Sequence, residues 1–154
     1  MTEDELFARR PMGMRMAMVV RQWRAIIDAA ITDTGLTQSS WTVLMQLHQL
    51  GDNVSVSELA EVQGIELPPL MRTLAQLEKQ GYLVRSTSPY DKRIRLLTLT
   101  AQGRLRLEEL NRVIETYQHR VTCTIPEAEL DSFSATLNQL ACNLRTIREE
   151  DNQH

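Results

Sequence analysis

The segment SVSELAEVQGIELPPLMRTLAQLEKQG, residues 55–81, decides how the rest of the chain is read. Ser55 followed by Glu58 three residues later fits a capping box, in which each side chain takes the other residue's orphan backbone amide. A short helix through about Val62 follows from it. Gln63-Gly64-Ile65 makes a tight turn, with glycine available for a left-handed backbone. A second helix is predicted over 67–80. Pro68 and Pro69 are tolerated there because amides in a first turn have no intrahelical acceptor. Gly81 ends it. Two helices joined by a short glycine-containing turn form a helix-turn-helix.

Outward from this segment, Tyr82–Ser88 and Ile94–Thr100 are short and rich in β-branched, aliphatic or aromatic residues. The polar run Ser88-Pro89-Tyr90-Asp91-Lys92-Arg93 separates them, which predicts a β-hairpin with a basic loop. Upstream, Thr37 opens a helix with the stripe Trp41, Leu44, Met45, Leu47 and Leu50, closed by the turn Gly51-Asp52-Asn53. Before it, Met16, Val19, Val20, Trp23, Ile26, Ile27, Ala30 and Ile31 mark one apolar face of a long helix over 12–32, with Gly35 as its cap. Downstream, a long helix is predicted over 101–123, and Pro126 starts another. In that last helix Leu130, Phe133, Leu137, Leu140, Leu144 and Ile147 alternate steps of three and four, a coiled-coil-type seam. The polar tail from Glu149 onward is expected to fray. The fold class is mainly α with a small β-hairpin wing: a winged helix-turn-helix over 37–100, long helices over 1–36 and 101–150, and a frayed tail over 151–154.

The charge pattern sharpens the functional reading. The chain has 154 residues and a net charge of −3, which by itself argues against nucleic acid. The distribution reverses that argument. Residues 63–106 hold eight Lys and Arg against Glu66, Glu78 and Asp91, a net +5 between two acidic flanks. A local basic block sets an electrostatic patch whatever the total. No stretch approaches the run of about 18 apolar residues that a membrane helix needs, and no leader pattern stands at the start, so a cytoplasmic protein without a membrane partner is expected. The cysteines Cys123 and Cys142 are too few for a disulfide framework and are read as small buried thiols. The histidines have no metal-ligand spacing with them, and neither a Gly-rich phosphate loop nor a nucleophile motif occurs. The reading is therefore of a non-enzyme with no cofactor and no metal site.

On the helix over 67–80, Leu67, Leu70, Leu74 and Leu77 share one face, and Pro69, Arg72, Thr73, Gln76 and Lys79 the other. The outward face has no acid and offers donors suited to base edges and phosphates. The bland alternative is a solvated face of a structural bundle. In the hairpin, Lys92, Arg93 and Arg95 concentrate charge at the tip, and Asp91 suits a role in fixing the Arg93 guanidinium through a charge-assisted hydrogen bond. A narrow minor groove attracts such an arginine.

Residues 36–103 resemble the MarR/SlyA family of winged-helix transcription regulators. The resemblance rests on Leu36-Thr37-Gln38 to Trp41, Ser57-Glu58-Leu59-Ala60, Ile65-Glu66, Arg72-Thr73-Leu74 with Leu77-Glu78, Gly81-Tyr82-Leu83, and Asp91-Lys92-Arg93 followed by Leu97-Thr98-Leu99-Thr100 and Gly103. Residues 20–25 look like the SlyA branch. The resemblance implies a homodimer joined through the first and last helices, each subunit presenting a winged helix to half of a palindromic operator in double-stranded DNA. It implies major-groove contacts from Arg72 and Thr73 and minor-groove entry by Arg93, positioned by Asp91. With the basic block, the DNA-contacting set becomes Ser57, Pro69, Arg72, Thr73, Gln76, Lys79, Arg85, Asp91, Lys92, Arg93 and Arg95. Pro69 departs from the small polar residue of SlyA-like sequences and donates no hydrogen bond, which implies an altered operator preference.

The resemblance also implies a small aromatic carboxylate or phenolic effector between the DNA-binding and dimerisation regions. Arg15, Arg21 and Arg24 lie on the first long helix with Trp23, and Trp41 and His48 share a face of the next. An arginine and a tryptophan converging on an apolar pocket would suit such a ligand, so Arg15, Arg21, Trp23, Trp41 and His48 are its candidates. The plainer reading makes both tryptophans core anchors. Two further alternatives are a ligand-independent competitor of other DNA-coating proteins and a winged-helix protein adaptor.

Overall fold

A computed structural model describes all 154 residues. The chain divides into two compact units, Met1–Tyr117 and Gln118–His154. In the first, α1 (Glu3–Ala8) and α2 (Met12–Ala30) precede a single 3₁₀ turn at Thr32–Thr34, then α3 (Gln38–Leu50), β1 (Val54–Ser55), α4 (Val56–Gln63), α5 (Leu67–Lys79), β2 (Leu83–Thr87) and β3 (Arg95–Leu99). Helix α6 (Ala101–Thr122) runs across the boundary, and α7 (Glu127–Asn152) lies in the second unit. The fold is the mainly helical winged helix expected from the sequence.

Local chemistry explains the boundaries. Thr37 caps α3 by accepting from the Ser40 amide. Ser55 and Glu58 complete the capping box at α4, with the Glu58 amide 3.1 Å from the Ser55 hydroxyl and the Ser55 amide 3.0 Å from the Glu58 carboxylate. Gly64, at φ +63°, makes the α4–α5 turn. The Thr100 hydroxyl donates to the Gly81 carbonyl at 2.7 Å and accepts the Gly103 amide at 3.0 Å, so one side chain caps α6 and anchors it to the end of α5. Gly103 has a steric reason: a Cβ there would run into the Tyr82 carbonyl oxygen.

The core of the first unit is aliphatic. Leu44 and Leu47 of α3, Leu59 of α4, Leu70, Leu74 and Leu77 of α5, and Leu83 and Leu97 of the sheet are fully buried. Each such side chain contributes roughly 1.5–3 kcal/mol on leaving water. The antiparallel sheet has the order β1-β3-β2, with Leu83 opposite Leu99 and Arg85 opposite Leu97.

Four features add to the sequence reading or differ from it. The wing is not a bare hairpin, because Val54 and Ser55 pair with Leu97 and Leu96 as a third strand. A short helix, α1, precedes the long one, with its own capping box between Thr2 and Glu5. Helix α7 continues through the polar end to Asn152, beyond the Glu149 and the 151–154 boundary where fraying was expected. Leu67 does not join the buried leucines, being 51% exposed at the first residue of α5.

Candidate nucleic-acid interface

Glu66 precedes helix α5 as its N-cap residue and makes no side-chain cap bond. Pro68 and Pro69 carry no amide hydrogen, so two of the donors a helix start normally leaves unsatisfied are absent. Leu70, Leu74 and Leu77 fix the helix against the core, which turns Arg72, Gln76 and Lys79 to solvent. Arg72 and Lys79 keep their cationic groups without a partner in the chain. Thr73 is half-buried, and its hydroxyl donates to the Pro69 carbonyl at 3.2 Å. The Gln76 amide reaches back to the Gly35 carbonyl at 3.5 Å, a long contact. Ser57 sits exposed in the first turn of α4.

Arg85 behaves differently from the other cations. Its Nε lies 2.9 Å from the Glu78 carboxylate, an ion pair that ties β2 to the end of α5. The charge is largely neutralised in place. Sequence spacing could not show this, because seven residues and the Gly81 turn separate the partners.

The wing loop is built around two side chains. Ser88 is buried; its amide donates to the Ile94 carbonyl at 2.9 Å, while its hydroxyl accepts from the Tyr90 amide at 3.2 Å and the Asp91 amide at 3.4 Å. Asp91 then grips Arg93. One carboxylate oxygen accepts the Arg93 backbone amide at 3.0 Å and Nε at 3.2 Å, and the other accepts Nη2 at 3.1 Å. This fork holds the Asp91 carboxyl below the usual carboxylate range, through its side-chain bond to Arg93 first and the backbone bond second. The Arg93 side chain is nevertheless 91% exposed, so its orientation is fixed while its charge faces solvent. Lys92 is exposed and unpartnered. Arg95 donates to the Thr87 hydroxyl at 2.6 Å, which orders it without cancelling its charge. Tyr90, which the charge-based reading passed over, is 97% exposed at the tip.

The expected effector residues lie on α2 and α3. Arg15 lies over the Phe7 ring at 5.2 Å, Arg21 and His48 are exposed, and Trp23 and Trp41 pack half-buried against the core. The Trp41 indole donates to Asn111 of α6 at 2.8 Å, the core-anchor role. A cleft of about 580 Å³ lies elsewhere, lined by Arg24, Gln38, Thr42, Gln63, Glu66 and Thr73 among others, and by none of those five. Arg24 donates to the Gln38 side chain at 3.1 Å, and the Gln38 amide donates to Asp28 at 2.6 Å, so α2 holds the first turn of α3. In the single chain Cys123 and Cys142 are both exposed; α7 buries no residue there and Cys123 lies just beyond α6.

Residues 36–94 match the model of the MarR family. Among solved structures, a transcriptional regulator is 29% identical, with a TM-score of 0.77, and the match covers 88% of this chain and 99% of that one. A mutant MarR from E. coli complexed with operator DNA is 22% identical, with a TM-score of 0.77 over 84% of this chain and 93% of that one. CouR from Rhodococcus jostii bound to p-coumaroyl-CoA is 22% identical, with a TM-score of 0.76 over 88% and 94%. No helix is long and apolar enough to cross a membrane.

Proposed function

We propose, from the match of residues 36–94 to the MarR family model and from the geometry of the wing, that the protein is a winged-helix transcription regulator acting as a homodimer on a palindromic operator in double-stranded DNA. Helix α5 enters the major groove through Arg72 and its neighbours, and the wing places Arg93 in the adjacent minor groove. The observation that carries the reading is the Asp91–Arg93 fork: a guanidinium held along its Nε–Nη2 edge yet open to solvent is a ready-made groove probe. Lys92, Arg95 and Lys79 supply phosphate neutralisation. Paired recognition helices then lie about 34–36 Å apart, one helical turn of duplex. Exposed apolar side chains on α2 (Met12, Val20) and α7 (Phe133, Leu144) support self-association. Residues 20–25 are our ground for setting the chain nearest the SlyA branch within the family.

A gel shift with genomic fragments at rising salt, alongside light scattering, tests this. A retarded complex that weakens steeply with salt, formed by a species of twice the chain mass, is the expected result. A monomer, or no shift at low salt, sinks the reading and favours the adaptor.

We also propose a small aromatic carboxylate or phenolic effector, and we place it in the cleft beside Arg24 and Gln63 rather than at Trp23, Trp41 and His48. The Gln63 side-chain nitrogen is withdrawn from water there with no acceptor in the chain, which suits an acceptor group on a ligand. A rise in melting midpoint with aromatic carboxylates, abolished by Gln63→Leu, is the expected outcome. No rise with any of them favours the ligand-independent competitor.

A further inference from the structure

We propose that Tyr90 is a second DNA-contacting residue of the wing: its ring lies along the sugar wall of the minor groove next to the Arg93 guanidinium, and its hydroxyl donates to a phosphate oxygen. The inference rests on the wing reading above and extends it from charge to shape.

The fold makes no use of this ring. At 97% exposure it is the most solvent-open of the large apolar side chains, so its retention gains nothing from packing. Its backbone, by contrast, is tightly placed. The Tyr90 and Asp91 amides both donate to the Ser88 hydroxyl, and Ser88 is itself buried and bonded to Ile94. Pro89 immediately before it has a fixed φ. A rigid turn therefore carries a rigid side chain with only two torsions to freeze, the economical way to present contact area.

The surroundings select the partner. Asp91, next in sequence, would repel a phosphate backbone if its charge were free, but both its oxygens are engaged by Arg93. Lys92, Arg93 and Arg95 then draw the polyanion to the tip where Tyr90 stands. Against a nucleic-acid groove a tyrosine offers an apolar face for deoxyribose and a hydroxyl for the phosphate edge. The ring carries no charge, so it adds affinity without adding to the number of ions released.

The experiment compares wild type, Tyr90→Ala, Tyr90→Phe and Arg93→Ala on a duplex recovered by the wild-type protein from a randomised pool. Binding is measured at several salt concentrations, with hydroxyl-radical footprints and melting midpoints. Tyr90→Ala is expected to weaken binding about fivefold or more, the lower end of an aromatic–nucleotide contact. Its salt slope and melting midpoint should match wild type, and cleavage should reappear at the sugars beneath the wing. Tyr90→Phe should retain most of the affinity. Arg93→Ala should weaken binding and flatten the salt slope by about one ion. If Tyr90→Ala binds like wild type while Arg93→Ala does not, the Tyr90 inference is wrong and the wing reading stands. If neither change matters, both fall. A lowered melting midpoint in Tyr90→Ala also overturns the inference, because the ring would then be part of the fold.

Discussion

The carboxylate of Asp91 takes the Arg93 amide and the Nε–Nη2 edge of its guanidinium, which sets a long side chain in one rotamer ahead of any DNA contact. An arginine carries about 2 kcal/mol of rotamer entropy, so pre-ordering lowers the cost of groove entry. Arg93→Ala should cost more than about 1 kcal/mol of specific binding in operator titrations. Asp91→Ala should cost less, because the cation remains, and should weaken discrimination between operator and random duplex more than total affinity. The pH dependence follows from the direction of the Asp91 shift. A depressed folded-state pKa means the fork is fully present above the ordinary carboxylate value and is lost only as pH falls through the lower one. DNA binding should therefore show no titration from Asp91 between about pH 5 and pH 8. Titrations at three pH values check this. The Asp91–Arg93 pairing was legible in sequence because the partners are two residues apart in a turn. Tyr90 was not, since an exposed aromatic carries no charge signal.

At the scale of elements, the ion pair between Glu78 and Arg85 joins helix α5 to strand β2 and removes one cation from the free set. Glu78→Gln should release it. The expected result is a steeper salt dependence of DNA binding, by about 0.9 in the log–log slope. Stability should change by no more than about 1 kcal/mol, as for a solvent-screened pair. An unchanged slope would place Arg85 away from any phosphate. Gly103→Ala is the opposite kind of change. Its new Cβ meets the Tyr82 carbonyl oxygen and the Leu99 side chain at 2.8 Å, and should lower stability by about 1–3 kcal/mol or more in urea unfolding. The helices were legible because Thr37, Ser55 and Gly81 punctuate them locally. Strand β1 escaped because two residues give no alternation, and Ser55 already serves as the cap of α4. The Glu78–Arg85 pair escaped because only the turn at Gly81 brings its halves together.

For the whole molecule, association is the quantity on which the proposed function turns. Phe133 and Leu144 are 59% and 64% exposed in the single chain, and α7 buries nothing of its own. Phe133→Glu with Leu144→Glu should halve the mass seen by light scattering and abolish operator retardation, while leaving the winged helix folded by circular dichroism. Helix α7 was readable from the three- and four-residue spacing of its leucines, but the exposure of Cys123 and Cys142 in the single chain was not, because spacing does not say what packs against a face. The proline pair opening α5 has a last consequence. With Pro68 and Pro69 in place, the end of the helix keeps its positive dipole but has lost hydrogens with which to hold an anion. On the proposed reading, a phosphate passing there finds few amides to pin it and the Glu66 carboxylate beside it, like a rail without a stop, so lengthwise position along the duplex would fall to the wings.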